Sequence, residues 1–145
     1  MSSLASFLAD PNAALPHALP TLTVVPDRTQ LFMFSAATWN RHRIHFDREA
    51  AISEGLPDVV VHRALIGNFF ARLLGGWAAD RARIHELSWK VTSSALPGRE
   101  LHCDAVMIRR ENAGREDRFV LTLQARDDRG NEVASGAATL VGEPA

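Results

Sequence analysis

The stretch from Ala64 to Ala79 sets the strongest constraint on what this chain can fold into. Apolar side chains recur there as Leu65/Ile66, Phe69/Phe70, Leu73/Leu74 and Trp77, at a spacing of four. That spacing predicts one long helix whose apolar stripe extends well around its surface, so the helix must be largely buried. Almost everything after it reads as strand. Ile84 to Val91, Leu101 to Ile108, Phe119 to Ala125 and Val133 to Val141 each alternate apolar with polar positions, and turn residues at Pro97-Gly98, Asn112 to Gly114 and Asp128 to Asn131 separate them. A single helix of this kind needs a curved sheet around it, and an antiparallel meander of four strands supplies one.

The expected fold class is therefore α+β, an antiparallel sheet wrapped around one long central helix, which is the hotdog arrangement. A length of 145 residues suits one core of this size. Residues 1–30 carry Pro11, Pro16, Pro20 and Pro26 and read as a proline-rich arm with a short strand at Leu22 to Val25, leaving 31–145 as the single domain. Gln30 to Phe34 reads as a further strand, with Ser35 capping a short helical turn through Trp39. The run Val59-Val60-Val61 leads directly into the long helix. One layer of sheet leaves strand edges uncovered, so a homodimer is expected.

Charge excludes several functions. Lys+Arg 16 against Asp+Glu 17 gives a net charge of −1, which offers no excess of cations for nucleic acid or an anionic membrane surface. Lys90 is the single lysine, and the many arginines suit carboxylate or phosphate groups on a small ligand. Cys103 is the only cysteine, which rules out an intrachain disulfide and a multi-cysteine zinc site and fits a reducing cytoplasm. The apolar patch from Leu4 to Ala9 lacks a basic segment before it and meets Asp10-Pro11 at once, unlike a signal peptide, and no apolar run has the length to span a bilayer. No metal site or cofactor is expected.

The densest functional chemistry lies at Asn40, Arg41, His42, Arg43 and His45, followed by Asp47 and Glu49. The stretch from Phe34 through His45 to Ala51 resembles the hydratase motif of MaoC-like proteins, commonly Y-x-x-x-S-G-D-x-N-P-x-H followed by Asp and small residues. Gly55-Leu-Pro-Asp-Val-Val-Val-His62 resembles the second signature of that family, which ends in H-G at the start of the hotdog helix. Thr38-Trp39-Asn40-Arg41-His42-Arg43-Ile44-His45-Phe46-Asp47 is most similar to the branch of type-2 3-hydroxyacyl-thioester dehydratases and mesaconyl-C4-CoA hydratases. The resemblance runs from about Phe34 to Val141.

It implies (R)-specific hydration of 2-enoyl thioesters, or the reverse dehydration, on coenzyme A or acyl-carrier-protein substrates. His45 then falls on the catalytic histidine, and Asn40 on a position where the wider family has a catalytic Asp. Hydration needs a base for water, an acid for the α-carbon and donors for the enolate oxygen. A histidine can do the first two, whereas Asn40 cannot ionise and is left to orient water or His45. By position, the oxyanion donor is the amide of Arg63, with Ala64 next to it at the helix start. Arg63 replaces the family's glycine; its side chain could enter the pocket to hold a carboxylate, or point to solvent or bond a neighbouring acid. His42 and Arg43 could brace the loop or touch substrate, and His62 could be a buried hydrogen-bonded residue or a second base. His17, His85 and His102 have no partner pattern, and neither Ser53 nor Cys103 has a nucleophile's context. Two alternatives stay open: a non-catalytic acyl-thioester-binding hotdog, and a hotdog thioesterase using Asp47 or Glu49.

Overall fold

The structure is a computed structural model that describes residues 2–112, 114–142 and 144. Its elements are α1 (Leu4–Ala9), β1 (His17–Ala18), β2 (Leu22–Val24), α2 (Arg28–Thr38), a 3-10 turn at Arg43–His45, α3 (Arg48–Ser53), α4 (Arg63–Ala78), β3 (Ala82–Val91), β4 (Leu101–Asn112), β5 (Asp117–Asp127) and β6 (Glu132–Gly142). Ala113, within the turn expected at Asn112 to Gly114, lies outside the described residues.

Helix α4 is the centre of the molecule. Leu65, Ile66, Phe69, Phe70, Leu73, Leu74, Trp77 and Ala78 are all buried along it. The sheet answers with its inward face: Leu101, Cys103, Ala105 and Met107 of β4, Phe119, Leu121, Leu123 and Ala125 of β5, and Val133, Ala138 and Leu140 of β6. Those of β4 and β5 alternate with more exposed neighbours, as a sheet with one covered face requires. The antiparallel sheet wrapped around one long helix is the fold expected from the sequence.

Its strand order differs from the expected four-strand meander. The order is β1-β4-β5-β6-β3, with β2 also pairing with β4. Only β4, β5 and β6 form a meander; β3 crosses over and pairs antiparallel with β6, from Ala82 opposite Gly142 to Val91 opposite Ala134. A strand that follows α4 directly emerges at one edge of the wrapped sheet, where it can cover the helix from the side opposite β4. A bulge between Ile84 and Glu86 explains why the apolar positions of β3 step by three from Ile84 to Leu87 before alternation resumes.

Residues 1–30 pack against this body. Leu4, Phe7 and Leu19 are buried in the core, and β1 and β2 pair antiparallel with the outer edge of β4 at His17↔Met107 and Leu22↔Cys103. The expected strand at Gln30 to Phe34 is instead part of α2. Asp27 caps it by accepting the Gln30 N–H at 2.7 Å, so the cap lies eight residues ahead of the expected one at Ser35. Leu31 and Ser35, one turn apart, face inward while Phe32 and Met33 are exposed, a helical and not a strand period.

Trp89 of β3 docks the sheet onto the start of α4. Its indole Nε1–H donates to the Arg63 carbonyl at 2.9 Å, and its ring lies flat against the helix at Gly67, one turn on. A Cβ at Gly67 would sit 2.1 Å from that ring. Gly67→Ala is therefore expected to lower the unfolding free energy by about 1 to 3 kcal/mol, although alanine is the better helix former. Denaturant titration measures this, and an unchanged or higher midpoint would show that the indole is not wedged there.

Candidate active site

The site begins with how the chain holds His45. Asn40 Oδ1 accepts the His42 N–H at 3.1 Å, closing a turn after α2, and the 3-10 turn Arg43–His45 follows. Asp47 then caps α3 through the Ala50 N–H at 3.1 Å, and the Arg43 Nε–H donates back to it at 2.9 Å. The capping bond first, and the Arg43 guanidinium second, hold the Asp47 carboxyl below the usual carboxylate range. Asp58 ties the next segment down, with Arg28 Nη2 at 2.5 Å and Arg48 Nε at 3.8 Å. Two ends of the loop are thus fixed by arginine–carboxylate contacts.

Between them runs the strap Val59-Val60-Val61, fully covered by core. The Val60 N–H donates to the Ile44 carbonyl at 3.0 Å, and the Val60 carbonyl accepts from His45 Nδ1 at 2.7 Å. A carbonyl can only accept, so Nδ1 carries the proton and Nε2 bears the lone pair of the neutral ring. His45 is 8% exposed, and its Nε2 has no protein partner but is not among the sealed unpaired atoms. That nitrogen is open to a ligand.

His62 lies against the face of His45, ring centroids 3.8 Å apart and planes 19° off parallel. It is 1% exposed, and its Nε2 is 2.7 Å from Ser35 Oγ. Phe34 packs on its other side at 4.8 Å. His42 stands edge-on to His45 at 5.9 Å and meets Glu54 at 3.3 Å. Burial pulls the His45 pKa below its ordinary value; the Val60 bond opposes that in part and nearby His42 adds to it. Burial, then proximity to His45, brings His62 down to about 4. Both rings are therefore neutral at pH 7.

His62 is also the residue before α4, yet its side chain makes no capping bond. The first N–H groups of any helix lack intrahelical acceptors, and here Arg63 and Ala64 bring theirs to an exposed position one residue from the stack. The Arg63 side chain does not turn toward His45 for support. Its Nη2 donates to the Trp89 carbonyl at 2.9 Å and its guanidinium lies over the indole at 5.0 Å. The expected alternatives are a side chain in the pocket or one turned to solvent or a neighbouring acid; the structure instead has it on the Trp89 carbonyl and indole.

His45 and His62 thus come together, Arg63 and Ala64 follow His62 at the start of α4, His42 lies beside His45, Asn40 holds the His42 backbone, and Arg43 braces the loop through Asp47. Ser35, the Val60 carbonyl and Trp89 were missed as site residues. Ser35 would have been found by placing α2 correctly, since it lies one turn from buried Leu31. Among the described residues no group of three His, Cys, Asp or Glu could hold a metal ion, and no helix is long and apolar enough to cross a membrane.

An antiparallel sheet closed around one apolar helix, with a histidine held at the helix start, defines a hotdog protein of the MaoC-like kind. The (R)-hydratase from A. caviae involved in PHA biosynthesis matches with a TM-score of 0.80 at 17% identity, covering 93% of this chain and 100% of that one. The MaoC-like dehydratase from Rhodospirillum rubrum matches at 0.79 and 14% identity, covering 91% and 94%. The chain belongs to the hydroxyacyl-thioester dehydratase type 2 family, whose pattern matches residues 9–97 and so includes most of the proline-rich segment. Mesaconyl-C(4)-CoA hydratase of Chloroflexus aurantiacus is 55% identical over 51 residues, 34% of this chain and 18% of that relative's length.

Stability should follow the histidines. A folded-state pKa below the ordinary 6.5 means that protonation favours the unfolded chain, so stability is complete above pH 6.5 and falls as pH drops toward 4. His62 contributes up to about 3 kcal/mol of that loss, and His45 adds to it. Urea unfolding between about pH 7 and 4.5 measures it; a flat profile would contradict neutral buried rings.

Proposed function

We propose that this protein hydrates 2-enoyl thioesters to (R)-3-hydroxyacyl thioesters, or dehydrates them in reverse, with His45 as the general acid and base. The observation that carries it is the His45 ring itself: Nδ1–H on the Val60 carbonyl, Nε2 bare and accessible, one residue's width from an uncapped helix start. Family membership supports the reaction class.

In the hydration direction Nε2 takes a proton from water as the oxygen adds to C3 of the enoyl group, and electron density moves to the thioester oxygen. The Arg63 and Ala64 amides at the positive end of α4 are the donors in reach of that oxygen. Nε2–H then returns the proton to C2, so water is consumed and His45 is restored. Asn40 has its Oδ1 on the loop backbone, which leaves its Nδ2 amide to orient water. Arg63 keeps its side chain on Trp89 and contributes its backbone alone. Coenzyme A and acyl-carrier protein both fit a site whose chemistry involves only the thioester end, and the buried, unreactive Cys103, its thiol pushed up to about 12, suits the cytoplasm.

A homodimer belongs to the same proposal. β3 pairs with β6 on one side only, so among the described residues no strand pairs with its other edge, where the Trp89 carbonyl alone is taken, by Arg63. Joining two copies along that edge would pair its backbone groups. Light scattering at micromolar concentration should read the mass of two chains, and a monomer would refute it.

His45→Ala should retain the fold and lower kcat for enoyl-thioester hydration by roughly 10² to 10⁴. Turnover equal to the parent protein would remove His45 from the mechanism. Binding of enoyl thioester with no turnover in either protein would favour a non-catalytic binding domain, the alternative that the neutral Asn40 keeps open.

A further inference from the structure

We propose that Ser35 and His62 form a positioning unit for His45, in which Ser35 holds the His62 ring and that ring fixes the plane of the His45 imidazole. The inference rests on His45 being the acid–base group and names what aims it.

The bond from His45 Nδ1 to the Val60 carbonyl fixes one atom at the ring's edge. One hydrogen bond leaves the ring free to tilt about that contact, and tilting would swing Nε2 away from a substrate carbon. The missing constraint has to come from the ring's face. His62 supplies it, nearly parallel at 3.8 Å, and is itself locked between Ser35 Oγ at 2.7 Å and Phe34 at 4.8 Å. Ser35 is buried mid-helix in α2, where a hydroxyl has no structural advantage over alanine unless it bonds something.

His62 occupies its place at a visible sacrifice of local stability. The residue before a helix is ordinarily Ser, Thr, Asp or Asn, whose side chain bonds the first free N–H groups, and His62 makes no such bond. Its Nδ1 is also buried without a partner. Turned into the cap, the side chain could relieve the first defect; it is turned onto His45 instead. Burial disfavours a charge on His62, so the face it lays against His45 is that of a neutral ring.

The charged groups on surrounding elements are otherwise engaged. Glu54 of the α3 end meets His42, Asp47 meets Arg43, Asp58 meets Arg28 and Arg48, Arg63 lies on Trp89, and Glu49 is exposed on α3. His62 and His42 are therefore the titratable rings that bear on His45.

Ser35→Ala, His62→Ala and His62→Phe test this, read by melting, by NMR titration of the His45 ring and by kcat and KM on an enoyl-CoA. His62→Ala should lower kcat by about 10- to 100-fold with KM little changed, and move the His45 midpoint up toward its ordinary value as water reaches the ring. His62→Phe, which keeps a flat face, should recover most of kcat, and Ser35→Ala should give a smaller loss in the same direction. A His45 midpoint and kcat unchanged in folded variants would overturn the proposal. Should the His62 variants not fold, Ser35→Ala decides alone by the same readouts. Absence of turnover in the parent protein would refute the hydratase reading, while the NMR titration would still decide whether His62 governs His45.

Discussion

Burial of α4 is the constraint on which the rest of the molecule depends. Its apolar side chains extend around so much of the helix that β4, β5 and β6 must curve to cover it, with β3 closing the far side. One face of the helix stays open to solvent, with Asn68, Arg72, Gly75 and Gly76 exposed along it, and so does its start. At the C-terminal end the chain turns directly into β3. At the N-terminal end Arg63 and Ala64 remain exposed, and there the free N–H groups at the positive end of the helix dipole have no acceptor among the described residues. The fold produces an anion-stabilising position as a by-product of burying its core.

The histidine chemistry sits where it does because the strap before α4 has to be buried to reach the helix. Val60 gives its N–H to Ile44 and its carbonyl to His45, so one peptide group sets both the backbone and the tautomer of the site. Burial then keeps the rings uncharged at neutral pH, which leaves a base with a free lone pair rather than an imidazolium. The same burial makes the site a source of acid sensitivity for the whole fold.

The long helix was legible because its period spans four turns without interruption, and the strands after it because β-alternation repeats within each. Pairing was not: β3 joins β6, a neighbour by space and not by sequence, and only the step from Ile84 to Leu87 hinted at its bulge. α2 was hidden because a four-residue apolar run looks alike in strand and helix, and its Asp27 cap lies ahead of the run. His45, His62 and Arg63 could be singled out from the chain as candidates. Their stacking, the Val60 contact and the turn of Arg63 onto Trp89 depend on distant segments meeting, which no local pattern records.

The central claim is that water adds across an enoyl thioester without breaking the thioester bond. Incubating the protein with a series of 2-enoyl-CoAs while following enoyl absorbance and free thiol together tests it most directly. The account predicts loss of the enoyl absorbance to an equilibrium value with no thiol released. Thiol release in step with substrate loss, or an absorbance that never changes, would contradict it.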